Sequence, residues 1–277
     1  MDVYGLDFTS APSMRKPITC ARCRYRDGGS LAVEAFEALV DFAALERLLA
    51  TPGPWIAGLD FPFGQPRRLL EDLRWTCRWT GYVRRVSRLR LPQFERLLRD
   101  YCDARPSGQK FHLRAVDRRA GARSPMMLHG VPVGKMFFRG APRLLASPAC
   151  VLPCRRNRSE CRVVEAYPAL VARRFVGRNS YKNDAPHKQT PAQREARRAV
   201  VNALRSRAVH EIYGIDVQLP AQLAQALVAD ATADRLDALL CAIQAAWAWT
   251  RREAGYGMPA GVDRAEGWIV DPILLSS

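Results

Sequence analysis

The sequence predicts an α/β protein, and three observations carry that expectation. Short apolar strands bounded by turn residues fill the first 66 positions, an arginine-laden and mostly helical stretch breaks that rhythm over 67–160, and strand and long-helix patterns return after it. Val3 to Phe8 reads as the first strand, closed by Thr9-Ser10-Ala11-Pro12. Lys16 to Arg26 alternates as a second, Asp27-Gly28-Gly29-Ser30 is a hairpin turn, and Leu31 to Ala35 is the third strand. Asp41 to Ala50 carries Phe42, Leu45, Leu48 and Leu49 at helical spacing. Thr51-Pro52-Gly53-Pro54 stops that helix, and Trp55 to Phe61 is the fourth strand. Within the arginine-laden stretch Leu91 to Tyr101 reads as an amphipathic helix, and Gly130-Val131-Pro132-Val133-Gly134 as a loop. Arg162 to Ala166 is the fifth strand, ended by Tyr167-Pro168. Thr190-Pro191 opens a helix running to about Ala208, with proline in its first turn. A last long helix covers about Ala233 to Glu253, and Gly267-Trp268-Ile269-Val270 is a candidate final strand.

A chain of 277 residues buries roughly three quarters of its unfolded surface, so a single domain over 1–277 needs neither disulfides nor metals to hold together. At 48% hydrophobic and 25% charged residues it is ordinary for a globular protein. Met1-Asp2-Val3-Tyr4-Gly5 lacks a basic region followed by an apolar one, so no signal peptide is expected. No apolar run approaches the ~20 residues of a membrane span. These features predict a soluble, cytoplasmic protein with no membrane partner.

The charge of +16 is concentrated. Residues 67–160 hold 22 basic against 7 acidic side chains, whereas 1–66 hold 6 against 8 and 161–277 hold 15 against 12. The 38 arginines against 5 lysines fit a GC-rich codon bias, but such a bias does not gather the excess in one segment. A basic insertion over 67–160 is the footprint of a phosphate-backbone binder, RNA or DNA, and Arg84, Arg85 and Arg88 form its candidate contact cluster. The plainer alternative is a solvated, solubilising face.

Eight cysteines raise the question of zinc. Cys20-x2-Cys23 sits in strand-like alternation, and Cys150, Cys154 and Cys161 have gaps unlike paired zinc ligands. Zinc would require Cys20, Cys23, Cys150 and Cys154 to meet in space; buried free thiols are the commoner outcome.

The feature that points to chemistry is a repeated tetrapeptide. Gly5-Leu6-Asp7-Phe8 recurs as Gly58-Leu59-Asp60-Phe61, each at the end of an apolar strand. A carboxylate there is costly unless paired or bound to a metal. The intervening hairpin, strand and helix return the fourth strand parallel to the first. Neighbouring strands lie about 4.8 Å apart, so the two aspartates would point to one side and share a proton or a divalent cation. Gly5 and Gly58 are expected to leave room beside them. Glu165 closes the fifth strand, and Asp237 lies on the last helix, where Ala238, Ala242, Ala245 and Ala246 permit close approach to a sheet. Glu165 could instead cap or pair, and Asp237 could face solvent. Convergent carboxylates without a His/Cys set describe a hard-cation site, for Mg²⁺ or Mn²⁺ rather than zinc.

With Glu165-Ala166-Tyr167-Pro168, Tyr181-Lys182 and Asp237-Ala238-Leu239-Leu240-Cys241-Ala242 added to the two aspartate motifs, the sequence resembles the domain-of-unknown-function 429 family, regarded as predicted nucleases of ribonuclease H-like fold. The resemblance covers residues 3–270, with 67–160 the looser part. It implies a five-stranded mixed sheet flanked by helices and a metal-dependent acidic centre on Asp7, Asp60, Glu165 and Asp237. Two ions there would serve phosphodiester hydrolysis, and Lys182, carried over with its motif, would neutralise a phosphate oxygen.

Two other classes compete with a nuclease. An actin-like ATPase or sugar kinase shares such a topology and a strand-1 aspartate, but it requires a glycine-rich phosphate turn where this chain has Thr9-Ser10-Ala11-Pro12. A non-catalytic nucleic-acid-binding protein would need none of the four acids. Trp75 and Trp79, spaced i, i+4 beside Arg74 and Arg78, either stack on bases or pack the insertion onto the core.

Overall fold

The computed structural model describes residues 1–275. Its centre is one mixed sheet built from β1 (Asp2–Asp7), β2 (Ile18–Arg26), β3 (Ser30–Leu39), β4 (Trp55–Leu59), β5 (Cys150–Leu152), β6 (Cys161–Glu165) and β7 (Asp216–Gln218). The spatial order is β5-β6-β4-β1-β2-β3-β7. β1 and β4 are parallel neighbours with Gly5 opposite Gly58, and β4 and β6 are parallel with Leu59 opposite Glu165. β2 alone runs against its neighbours, because a tight hairpin joins it to β3 and a short connection to β1.

The sheet thus has seven strands, not the expected five. The two additions, β5 and β7, are three residues each and sit at opposite edges, parallel to β6 and β3. Three residues carry no readable alternation; main-chain pairing to an existing strand makes them. β5 lies in the arginine-laden stretch, where no strand is expected. The candidate strand at 267–270 reduces to a single bridge between Ile269 and Glu165.

The helices are α1 (Phe42–Leu49), α2 (Arg67–Asp72), α3 (Trp79–Val86), α4 (Leu91–Asp103), α5 (Ala115–Ala120) and α6 (Val133–Ala146), followed by α7 (Pro168–Val176), α8 (Pro191–Leu204), α9 (Ala208–Tyr213), α10 (Ala221–Ala229) and α11 (Asp234–Thr250). They form a layer on each face. Tyr4, Leu6, Ala57, Leu59 and Val163 point into a core shared with α1, α2, α3, α4 and α6. Val3, Ile56 and Val164 point the other way, into a core with α7 to α11. The insertion is therefore not an appendage: it supplies most of one helical layer and an edge strand. Trp75 and Trp79 pack there, both buried, with the Trp79 indole donating to the carbonyl of Phe63 at 2.7 Å. No helix among the described residues is long and apolar enough to cross a membrane.

α11 lies directly on β1 and β4. A Cβ added at Gly5 would sit 1.9 Å from the carbonyl oxygen of Ala238, and one at Gly58 would sit 2.4 Å from that of Cys241. The two glycines are thus filled from above: they seat the helix backbone instead of leaving space beside the carboxylates. Ala238 and Ala242 provide the matching small surface, as their size led one to expect. Leu236 through Ala248 are buried, so the helix is enclosed on nearly every side.

Candidate active site

Side-chain alternation decides where the acids go. Asp7 and Asp60 follow Gly5 and Gly58 by two positions, so they face the same layer as the glycines, towards α11. The Asp60 amide donates to the carbonyl of Leu6 at 3.0 Å, which continues the β1–β4 pairing to the level of the acids. Asp237, in the first turn of α11 and fully buried, comes down from above. The Tyr181 hydroxyl donates to its Oδ1 at 2.6 Å, and the Lys182 ammonium donates to its Oδ2. The loop after α7 thus delivers Tyr181 and Lys182 to the point where the two strands and the helix meet.

Asp7 and Asp60 are half-buried, and among the described residues their carboxylates accept no hydrogen bond. Burial pushes Asp7 well above the ordinary carboxylate range; Lys182 opposes the shift, and Asp237 and Asp60 add to it. Burial likewise pushes Asp60 up to about 7, again against Lys182 and with Asp237 and Glu165 adding to it. The Lys182 pKa is raised as well: burial alone would lower it, but Asp237 and Asp7 outweigh burial, so the ammonium stays charged. Three carboxylates and one cation therefore form an electrostatically linked group.

Glu165 is placed differently. It is level with Leu59 and shares the parity of Val163, so its side chain turns to the opposite face of the sheet. Arg114, the residue before α5, takes both its oxygens, with Nη1 to Oε2 at 2.9 Å and Nη2 to Oε1 at 2.5 Å. The Phe63 amide adds a bond to Oε2 at 2.9 Å. Arg114 also holds Asp117, with Nη2 to Oδ1 at 2.7 Å, and all three charged groups are at most 2% exposed. A buried arginine between two carboxylates locks the insertion onto β6 and engages both oxygens of Glu165. Of the four expected acids, Glu165 is thus held by Arg114, yet it borders the same crevice as Asp60 and Asp237 and acts electrostatically on Asp60.

Asp60, Asp237 and Glu165 border a crevice of about 240 Å³ whose walls also include Tyr167, Lys182, Arg123, Val133 and Met136. Arg84, Arg85 and Arg88 are not part of it. They lie on or just after α3, exposed, while Tyr82, Val83 and Val86 hold that helix to the core; Arg85 rests over the ring of Trp75 at 4.8 Å. The cysteines do not assemble either. Cys20 and Cys23 belong to opposite cores, as do Cys150 and Cys154, and all eight are free thiols.

Sequence reasoning missed Arg114, Tyr181 as a partner of Asp237, and Asp234. Asp234 opens α11 one turn before Asp237, contributes to the upward shift of Asp7, and approaches Lys16 at 3.9 Å. Its i, i+3 spacing to Asp237 was readable; Arg114 was one arginine among many.

In kind, Asp7, Asp60 and Asp237 fit a hard divalent cation: they are all oxygen donors, and the carboxylates of Asp7 and Asp60 accept no hydrogen bond among the described residues. As they stand, no three His, Cys, Asp or Glu side chains among the described residues close on a common point as metal ligands do. The Lys182 ammonium supplies the positive charge in their midst.

Comparison with curated proteins and with solved structures returns no match. A family model does match, over residues 5–264, a span that takes in both strand-end aspartates, the whole insertion, Arg114 and Asp237. The chain belongs to the family described as protein of unknown function, DUF429.

Proposed function

We propose that the protein is a divalent-metal-dependent nuclease of ribonuclease H-like fold. The observation that carries this reading is the meeting of Asp7, Asp60, Asp237 and Lys182 at the carboxyl ends of two adjacent parallel strands. Ligand sites of open α/β sheets lie at such strand ends. A β1-β2-β3 meander followed by β4 and β6 on the far side of β1 supports the fold part of the reading.

Mg²⁺ or Mn²⁺ would be held by Asp7, Asp60 and Asp237, and would polarise the phosphodiester and lower the pKa of an attacking water. Glu165, on the wall of the same crevice, anchors Arg114 and adds negative charge beside Asp60. Tyr181 fixes the rotamer of Asp237 through its hydroxyl. Lys182 keeps its proton on Nζ and lies beside the crevice, where it neutralises charge on a phosphate oxygen. Arg123, on the crevice wall, adds a second cation for the substrate. A kinase-like site would need main-chain N–H groups exposed by glycines after β1. Thr9-Ser10-Ala11-Pro12 offers none, and Pro12 has no N–H.

The test is cleavage of labelled RNA, DNA and hybrid substrates with Mn²⁺ or Mg²⁺. Asp7→Asn and Asp60→Asn should each abolish it with circular dichroism unchanged. Wild-type rates in both variants would overturn the assignment, as would Mg-ATP binding by calorimetry without cleavage of any substrate.

A further inference from the structure

A second cleft lies behind the first, with α5 as the wall between them. Arg114 and Asp117 face the acidic crevice, whereas Ala115, Arg118 and Arg119 line the other side. This second cleft has a volume of about 630 Å³, and its cationic and aromatic walls are Arg67, Arg68, His112, Arg118, Arg119 and Trp268. Asp263 and Glu266 also reach it, but both are already engaged. Glu266 accepts the amides of Arg67 at 2.8 Å and Ala115 at 3.0 Å. Asp263 pairs with Arg67 and accepts the amide of Ala265 at 2.8 Å, and Arg68 pairs with Asp72 at 3.1 Å.

Two guanidinium groups are left over. Arg118 and Arg119 are exposed and have no carboxylate partner among the described residues; Arg119 lies over the Trp268 ring at 5.6 Å. Independently, Trp268 is 5% exposed and its buried indole N–H has no acceptor among the described residues. An unpaired buried donor carries a desolvation cost that a ligand oxygen would relieve. Free guanidinium forks match phosphate oxygens in geometry as well as charge.

We propose that this cleft binds the phosphates of a nucleic-acid strand on its way to the acidic crevice, with Arg118 and Arg119 as the gripping residues. The proposal rests on the nuclease reading for its choice of ligand, and it moves the backbone contact from Arg84, Arg85 and Arg88 to the arginines of α5. A cleft more than twice the size of the crevice, separated from it by one short helix, suits the continuation of a strand better than a single small anion.

The experiment is fluorescence anisotropy of a labelled single-stranded oligonucleotide with the full-length protein in EDTA, over a salt series. Arg118→Glu with Arg119→Glu should weaken binding about tenfold or more, and flatten the log–log salt slope by roughly 1.4, two phosphates at about 0.7 each. Reversing Arg84, Arg85 and Arg88 should flatten it far less. Wild-type affinity and slope in the Arg118/Arg119 variant would overturn the proposal, as would no binding by the wild type at low salt. Inorganic phosphate competing as effectively as unlabelled oligonucleotide would also overturn it, by showing a site for free anions. Cleavage with no change in this binding would refute the cleft and keep the nuclease; loss of binding in the variant with no cleavage by the wild type would do the reverse.

Discussion

Gly5→Ala is expected to unseat α11 and with it the acidic centre. The new Cβ would lie 1.9 Å from the Ala238 carbonyl oxygen, 2.2 Å from the Ala242 nitrogen and 2.8 Å from the Ala242 Cα. Ordinary contact begins near 3.4 Å, so the helix must retreat by about 1.5 Å. All three obstacles are main-chain atoms, so no rotamer change relieves them. Overpacking costs typically 1–3 kcal/mol, and a rigid clash beneath a helix enclosed over thirteen positions belongs at the top of that range, about 3 kcal/mol. At this chain length that corresponds to a melting temperature lowered by about 6 °C. Asp237 adjoins Ala238, so the same retreat draws its carboxylate away from Asp7 and Asp60. Thermal melts of Gly5→Ala, alone and with Ala242→Gly, provide the check. The second change should give no rescue, because the clash is with backbone. Gly140→Ala is the contrasting case: its Cβ would meet the Phe61 ring at 2.4 Å, and Phe61→Ala should restore the room. An unchanged melting temperature in Gly5→Ala would refute the account of how the helix is seated.

Two further predictions concern the buried charges. In the metal-free protein Asp60 binds its proton more tightly when folded, near pH 7, than its ordinary value of 3.8. Its contribution therefore weakens stability as pH rises from about 4 to about 7 and is level above that. Asp60→Asn removes the dependence, so urea melts should match the wild type at pH 4 and exceed it by about 2–4 kcal/mol at pH 8; equal stability at pH 8 would contradict the burial of the Asp60 carboxylate. Arg114→Met leaves Glu165 and Asp117 buried without their cation and should cost about 3–5 kcal/mol in denaturant titrations. Adding Glu165→Gln should recover part of that loss, and a double-mutant cycle showing no coupling would argue against the cluster.

Much of the sheet was legible before any coordinates. The alternation in Ile18–Arg26, the Gly28-Gly29 turn and the breaker at residues 51–54 are local signals, and each falls where β2, its hairpin and the entry to β4 are found. The repeated Gly-Leu-Asp-Phe placed Asp7 and Asp60 at equivalent strand ends, because strand position and facing follow directly from spacing along one chain. β5 and β7 were illegible, since three residues become a strand only through main-chain bonds to a neighbour distant in sequence.

The sequence by itself determined that two carboxylates stand side by side and that an alanine-rich helix can pack above them. Only the tertiary structure decided what joins them. Glu165 has the same motif-like appearance as Asp60, yet its register with Leu59 sends it through the sheet to Arg114. Arg114 lies 51 positions from Glu165 and is indistinguishable by composition from its 37 fellow arginines. Which arginine is buried between two acids, and which, like Arg118 and Arg119, are left facing a cleft, depends on the pairing of every other charge around them. Pairing acts through space at a few ångströms, and spacing along the chain does not encode it.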